Sequence, residues 1–90
     1  MSNEEIEKFF DKQQVKEGQQ VKIEFKKRDS IYGIFVNTSK DYADLKAKNF
    51  WRIVTSLHFD AWKTSKDVNL AKIFNGSDFS RLVVKEVKVG

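Results

Sequence analysis

The stretch Asn69–Val84, N-L-A-K-I-F-N-G-S-D-F-S-R-L-V-V, decides the fold prediction. It predicts a strand over 69–74, a tight turn over 75–78 and a second strand over 79–88. Two apolar, β-favouring runs on either side of four turn-forming residues are typical of a direct strand-to-strand connection. The C-terminal part of the chain is therefore predicted to be β-structure.

Three further strands are predicted upstream, at about 19–27, 31–37 and 48–56. The first alternates apolar and charged residues, as a strand with one buried face does. Gly33, inside the second, weakens a strand unless the strand bends or another chain comes close, and it is interpreted as the sign of a strongly curved strand. In the third strand, alternation places Trp51, Ile53 and Thr55 on one face and Phe50, Arg52 and Val54 on the other.

A helix is predicted over 3–15. Ser2 and Glu5 have the spacing of a capping box, and Ile6, Phe9 and Phe10 form one apolar stripe. The helix is expected to stop at 16–18, where glycine permits a left-handed turn. Residues 42–45 are interpreted as able to re-enter the sheet, and 57–67 as a long loop with at most one helical turn.

Ninety residues, of which 40% are hydrophobic, suffice for one core, so a single domain over 1–90 is predicted. A leading helix and five short strands predict a mainly β fold, a small, strongly bent five-stranded barrel. The alternative is an open α+β sheet with the helix packed on one face. The sequence contains no cysteine and no apolar run of membrane-spanning length, so a soluble cytoplasmic protein is expected.

Several motifs resemble the Sm-like family, which includes bacterial RNA chaperones and has the SH3-like small-barrel architecture. They are V-K-I-E-F at 21–25, I-Y-G-I-F at 31–35, D-Y-A-D-L at 41–45 and I-F-N-G-S-D-F at 73–79. The chain also resembles, more closely, a group of short uncharacterised bacterial proteins that share 48–54 and 73–79. That second resemblance implies no activity.

The Sm-like resemblance implies a base-binding pocket at Tyr42, Asp44, Asn75 and Gly76 and assembly of copies into a ring, hence a homo-oligomer. Asp44 stands where the family usually has Asn, and Asn75 where it has a basic residue. The resemblance therefore does not extend to the family's preference for uridine.

The charge distribution points to a polyanionic partner. The chain carries a net charge of +4, and residues 21–52 carry eight basic against four acidic side chains, also +4. Cationic side chains near aromatic ones suit single-stranded RNA, which is held by phosphate contacts and base stacking. The candidates from charge are Lys26, Lys27, Arg28, Lys46, Lys48 and Arg52. The competing interpretation puts the aromatic residues in the core and the lysines on a solvated face.

No catalytic or cofactor site is predicted. His58 is the single histidine and has no spaced metal ligands around it. Tyr42 and Lys46 have the Tyr-x-x-x-Lys spacing of short-chain dehydrogenases, but the chain has neither the length nor the glycine-rich turn of that fold. A non-enzymatic RNA-binding protein without metal or cofactor is therefore expected. The alternative is a protein-interaction or oligomerisation module that uses strand edges or the segment of Phe59 and Trp62.

Overall fold

The N-terminal helix begins as the sequence predicts. The computed structural model describes residues 1–85, and its first helix, α1, spans Asn3–Gln13. The backbone N–H of Glu5 donates to Ser2 Oγ, and the backbone N–H of Ser2 donates to Glu5 Oε1, which confirms the capping box. The helix ends earlier than expected, because Gln14 already takes the left-handed conformation that terminates it, four residues before Gly18, which also has a positive φ.

Five antiparallel strands form one sheet: β1 (Val21–Phe25), β2 (Ile31–Phe35), β3 (Phe50–Thr55), β4 (Lys72–Asn75) and β5 (Phe79–Val84). Their spatial order is β4-β3-β2-β1-β5. The fifth strand is predicted to extend to 88; Lys85 lies outside it, and 86–88 lie outside the described residues. The fold is therefore mainly β with an N-terminal helix, as predicted.

Two predicted segments take a different form. Residues 42–45 do not re-enter the sheet but belong to a second helix, α2, which spans Tyr42–Ala47. The segment interpreted as a loop contains a third helix, α3, over Phe59–Ser65. The fourth strand starts at Lys72, later than predicted, because Val68–Leu70 forms a 3-10 turn whose start is capped by Asp67.

The two faces of the sheet carry separate cores, as the alternation in β3 predicts. Trp51 and Ile53 pack with Ile6 of α1 on one face, while Val54 packs with Trp62 of α3 on the other. Trp51 and Trp62 are each only 2% exposed. Both tryptophans are thus core residues, in agreement with the competing interpretation of the aromatic residues.

Gly33 shows why the second strand needs a glycine. A Cβ atom at this position would overlap Ile53 Cγ2 and lie 3.3 Å from Ile23 Cδ1. Both isoleucines belong to neighbouring strands and are fully buried. The glycine therefore marks a close approach of side chains from the two neighbouring strands of the same sheet, a reason other than the strand curvature that the sequence suggested.

The sheet curls but does not close into a barrel. The edge strands β4 and β5 are joined by only three residues, the 3-10 turn Gly76–Asp78, so the two edges must meet at that corner. Phe25 of β1 and Phe74 of β4 also touch, with ring centroids 6.0 Å apart. Within residues 1–85, however, β4 pairs only with β3, and β5 only with β1. The architecture is closer to the open-sheet alternative than to a closed barrel.

Candidate nucleic-acid interface

Residues that lie far apart in the sequence meet at the corner where the edge strands β4 and β5 converge. The turn after β1 brings Lys26, Lys27 and Arg28 against the end of β4 and the 3-10 turn. The resulting groove has a volume of about 340 Å³. We call it the basic groove; it is lined by Phe25, Lys26, Lys27, Arg28, Phe74 and Asp78.

Backbone hydrogen bonds fix the position of the basic groove. Lys26 N–H donates to the carbonyl of Asp78 over 3.0 Å, which ties the basic turn to the start of β5. On the other side of the corner, Gly76 N–H donates to the carbonyl of Asn49 over 2.8 Å. The groove is thus built on hydrogen-bonded backbone although its cationic side chains are exposed.

Two half-buried aromatic rings form the apolar part of the groove. The Phe25 ring packs edge-to-face on buried Phe79, with centroids 5.5 Å apart, and is tilted by 42° against Phe74. The guanidinium carbon of Arg28 lies 4.8 Å from the centroid of Phe25, a distance typical of a cation–π contact. The groove therefore offers three cations beside ring surfaces that are anchored in the core.

The other predicted site residues are dispersed. Tyr42 and Lys46 line a different cavity, described below, while Asp44 and Lys48 are exposed and line neither cavity. Neither of these two cavities combines Tyr42 and Asp44 with the glycine turn.

Arg52 is engaged by an acidic partner. Its Nε donates to Asp41 Oδ1 over 3.2 Å and its terminal nitrogen donates to Asp41 Oδ2 over 2.6 Å. These hydrogen bonds lower the pKa of Asp41 to about 2 and raise the pKa of Arg52. The pair attaches the start of α2 to β3, so the Arg52 guanidinium has a structural partner and contributes less to any phosphate contact.

Asn75 and Gly76 both stabilise the turn between β4 and β5, and the sequence reveals only part of this role. Asn75 Oδ1 accepts hydrogen bonds from the backbone N–H and the hydroxyl of Ser77, which caps the 3-10 turn. Gly76 is buried, and its carbonyl accepts a hydrogen bond from the amino group of Met1 over 3.0 Å. The Asn-Gly pair thus shapes the corner on which the basic groove is built.

A second cavity, of about 260 Å³, lies between α1, α2 and the sheet. We call it the aromatic cleft. Its aromatic residues are Phe10, Phe35, Tyr42 and Trp51, and its charged residues are Glu7, Asp11, Lys16, Glu17 and Lys46. No residue lines both cavities, and sequence patterns give no sign of this one, because its walls come from separate elements.

The described part of the chain offers no obvious metal site. Among residues 1–85, no group of three or more His, Asp or Glu side chains is placed to hold a metal ion. His58 is only partly exposed; it is the last residue of the 3-10 turn Ser56–His58 and directly precedes α3. None of the helices formed by residues 1–85 has the length and apolar composition needed to cross a lipid bilayer.

Comparison with known proteins assigns the chain to no family. No protein-family model, no curated protein and no solved structure matches it. The basic groove and the aromatic cleft are therefore interpreted from their own geometry.

Proposed function

We propose that the chain is a non-catalytic protein that binds single-stranded RNA in the basic groove. The observation that supports this function best is the convergence of Lys26, Lys27 and Arg28 with Phe25 and Phe74 in one groove of about 340 Å³. Cations next to anchored aromatic rings match the two features of single-stranded nucleic acid, its phosphates and its bases.

The two ring surfaces have different parts in this proposal. Phe25 and Phe74 are already in contact, so a base cannot enter between them. Arg28 covers part of Phe25, which leaves Phe74 as the ring on which a base stacks. Stacking of a base on an aromatic side chain contributes about 1–3 kcal/mol and tolerates any base. We therefore expect weak sequence preference.

Asp78 is the one acidic residue in the basic groove. Its carboxylate repels phosphate, so the backbone of the RNA is expected to run along the side chains of Lys26, Lys27 and Arg28 and away from this carboxylate. A carboxylate can also accept hydrogen bonds from the exocyclic amino group of a base. Asp78 is therefore expected to contact bases rather than phosphates.

Titration of a labelled single-stranded RNA, followed by fluorescence anisotropy, tests this proposal. Three phosphate contacts in single-stranded nucleic acid predict a roughly 20-fold loss of affinity between about 50 and 200 mM salt. Replacing Lys26 and Arg28 by Gln should weaken binding at the lower salt and reduce this salt dependence. The matched control replaces Lys8 and Lys63, which are exposed on α1 and α3 and lie outside the groove. Equal effects of the two double variants would refute the groove as the binding site.

The same geometry supports a more detailed proposal, that the sheet is an incompletely closed small barrel of the Sm-like type. The edge strands meet at a three-residue 3-10 turn, and the N-terminal helix packs on one face. Among the described residues, β4 and β5 each keep one edge without a strand partner. Unpaired edges favour pairing with another copy, and we include a homo-oligomer in the proposal.

A protein-interaction module is the second candidate. Trp62 cannot serve as its contact residue, because the ring is buried. The observation that favours it is apolar exposure near an unpaired edge, since Ile73 of β4 is 50% exposed. Ile73→Lys should convert an oligomer to monomer in light scattering if β4 is the contact, and should leave the mass unchanged if it is not.

A further inference from the structure

The aromatic cleft differs from the rest of the molecule in its charge. The chain as a whole carries +4, yet three carboxylates line this cleft against two lysines. One of these lysines, Lys46, is already paired, with its Nζ 2.9 Å from Glu7 Oε1. Within residues 1–85, Asp11 and Glu17 form no ion pair. Lys16 also forms no ion pair within these residues, so the side chains that line the cleft carry one more negative than positive charge on a basic protein.

Aromatic rings surround the same space. Tyr42 and Phe10 are half-buried, and each packs against the buried Trp51 that forms the base of the cleft, with centroids 6.4 and 6.2 Å away. Phe35 also lines the cleft, with its ring centroid 4.8 Å from that of Phe10. Ring faces that are fixed by packing on one another attract a cation without having to reorganise.

Lys46 shows that an ammonium group fits at the rim of this cleft. Its Nζ lies 5.5 Å from the centroid of Tyr42 while it contacts the Glu7 carboxylate. The hydrogen bond with Glu7 raises the pKa of Lys46, in keeping with a favourable contact between the carboxylate and the ammonium group. A carboxylate and a ring face, acting together on one ammonium, are the combination that recognises alkylammonium ligands.

We propose that the aromatic cleft is a binding site for an organic ammonium ion, methylated or quaternary, that contacts the Tyr42 ring and the carboxylates of Glu7 and Asp11. In the free protein Lys46 occupies part of this site and competes with the ligand. The volume of about 260 Å³ accommodates one trimethylammonium group with a short chain. This site is independent of RNA binding in the basic groove, because a polyanion would be repelled by the carboxylates.

The first test is a titration with choline, followed by two-dimensional amide NMR at constant ionic strength. The control ligand is 3,3-dimethyl-1-butanol, which has the shape of choline without its charge. We expect choline to shift the amides of α2 and of residues 10–17 in a saturable manner, with at least about fivefold higher affinity than the neutral analogue. Equal affinities, or shifts elsewhere in the protein, would overturn the proposal.

Two sources could supply such a group, a free small cation or a methylated lysine of a partner protein. A short peptide with one trimethyllysine, compared with the same peptide carrying norleucine, separates them. Tighter binding of the trimethyllysine peptide than of choline would support the site and assign it to protein recognition. Binding of choline alone would support the site and assign it to a small cation, and binding of neither would refute it.

Variants make the test specific to the cleft. Tyr42→Leu should weaken choline binding about five- to tenfold. Tyr32→Leu is the matched control, because Lys85 Nζ also lies over that ring, 5.1 Å from its centroid, yet Tyr32 does not line the cleft. It should leave the affinity unchanged. An equal loss in both variants would contradict the assignment.

Lys46→Met provides the sharpest distinction, because it removes the internal competitor. It should strengthen choline binding several-fold, since the Glu7 carboxylate and the Tyr42 ring become free. If Lys46 is only structural, its replacement should leave choline binding unchanged. If Lys46 instead binds an anionic ligand, its replacement should weaken the binding of that anion and should not strengthen the binding of choline. Unchanged or weaker choline binding in a folded Lys46→Met variant would refute the proposed competition.

Discussion

Replacing Gly76 by alanine should destabilise the protein strongly, although the residue lies in a turn. A Cβ atom at this position would overlap Asn49 Oδ1 and lie 2.8 Å from Ile6 Cδ1. Asn49 cannot move without cost, because its Oδ1 accepts a hydrogen bond from Trp51 Nε1 over 2.8 Å and its Nδ2 donates to the carbonyl of Met1 over 2.9 Å. The added methyl group therefore meets a hydrogen-bonded side chain and a buried core residue at once.

Two terms determine the size of the effect. Inserting a methyl group into a packed site costs about 1–3 kcal/mol. If Asn49 swings away, the buried indole N–H of Trp51 loses its acceptor, which costs about 1–3 kcal/mol more. We expect the free energy of unfolding to fall by about 1–3 kcal/mol if Asn49 stays in place and by up to about 6 kcal/mol if it moves, out of the ~5–15 kcal/mol that holds a typical domain folded.

Urea denaturation, followed by tryptophan fluorescence and circular dichroism, measures this loss. Ser77→Ala is the control, because it alters the neighbouring exposed residue and removes only a surface hydrogen bond to Asn75. An unfolding free energy of Gly76→Ala within about 0.5 kcal/mol of the parent, the range of ordinary surface substitutions, would refute the reasoning.

A double variant identifies the contact that causes the loss. Asn49→Gly removes the overlapping side chain and tolerates the positive φ of 64° at this position. If the overlap with Asn49 is the cause, Gly76→Ala combined with Asn49→Gly should cost at least about 1 kcal/mol less than the sum of the single variants. Additive costs would mean that Ile6, or the turn itself, determines the effect.

Three further outcomes are expected. Arg52 lowers the pKa of Asp41 from 3.8 to about 2, so the Asp41 carboxylate stabilises the fold above pH 4 and loses this effect as the pH falls towards 2. The difference in unfolding free energy between the parent and Asp41→Asn, measured by urea titration, should therefore shrink over that pH interval. Trp62→Ala should lower the unfolding free energy by about 3–5 kcal/mol because the ring is core, measured by calorimetry. Leu57→Ser, at a side chain 90% exposed, should change it by less than about 0.5 kcal/mol.

Local signals account for the elements that the sequence predicts correctly. The capping box of Ser2 and Glu5 acts within one helical turn. The alternation in β3 places Trp51 and Val54 on opposite faces of the sheet, independently of the elements that pack on those faces. Gly33 can be recognised as a special position because glycine weakens the interior of an apolar strand, so its presence there indicates a structural requirement. These features are encoded over a few residues, so sequence reasoning reaches them.

The helices α2 and α3 escaped prediction because they are short and depend on tertiary contacts. α2 has no buried residue and no side-chain cap; its start is tied to the sheet by the Asp41–Arg52 pair. α3 is amphipathic only over seven residues, and Trp62 is its one buried side chain. Helices of this length are marginal in isolation, so their formation depends on packing that the local pattern does not contain.

The candidate site was predicted in part. Lys26, Lys27 and Arg28 stand together in the sequence, and the structure keeps them together in the basic groove. The contribution of Phe74 and Asp78 could not be read from the sequence, because it arises from the meeting of the two sheet edges. The sequence alone groups Arg52 with the free cations, because no local pattern shows that Asp41, eleven residues earlier, is its hydrogen-bond partner.

Amide NMR of the labelled protein, titrated with a short single-stranded RNA at low salt, tests the proposed function most directly. The proposal predicts saturable shifts concentrated at residues 25–28 and 74–78, which disappear when Lys26 and Arg28 are replaced by Gln. Shifts concentrated on α3 and β2, or no shifts at low salt with a folded protein, would contradict RNA binding in the basic groove.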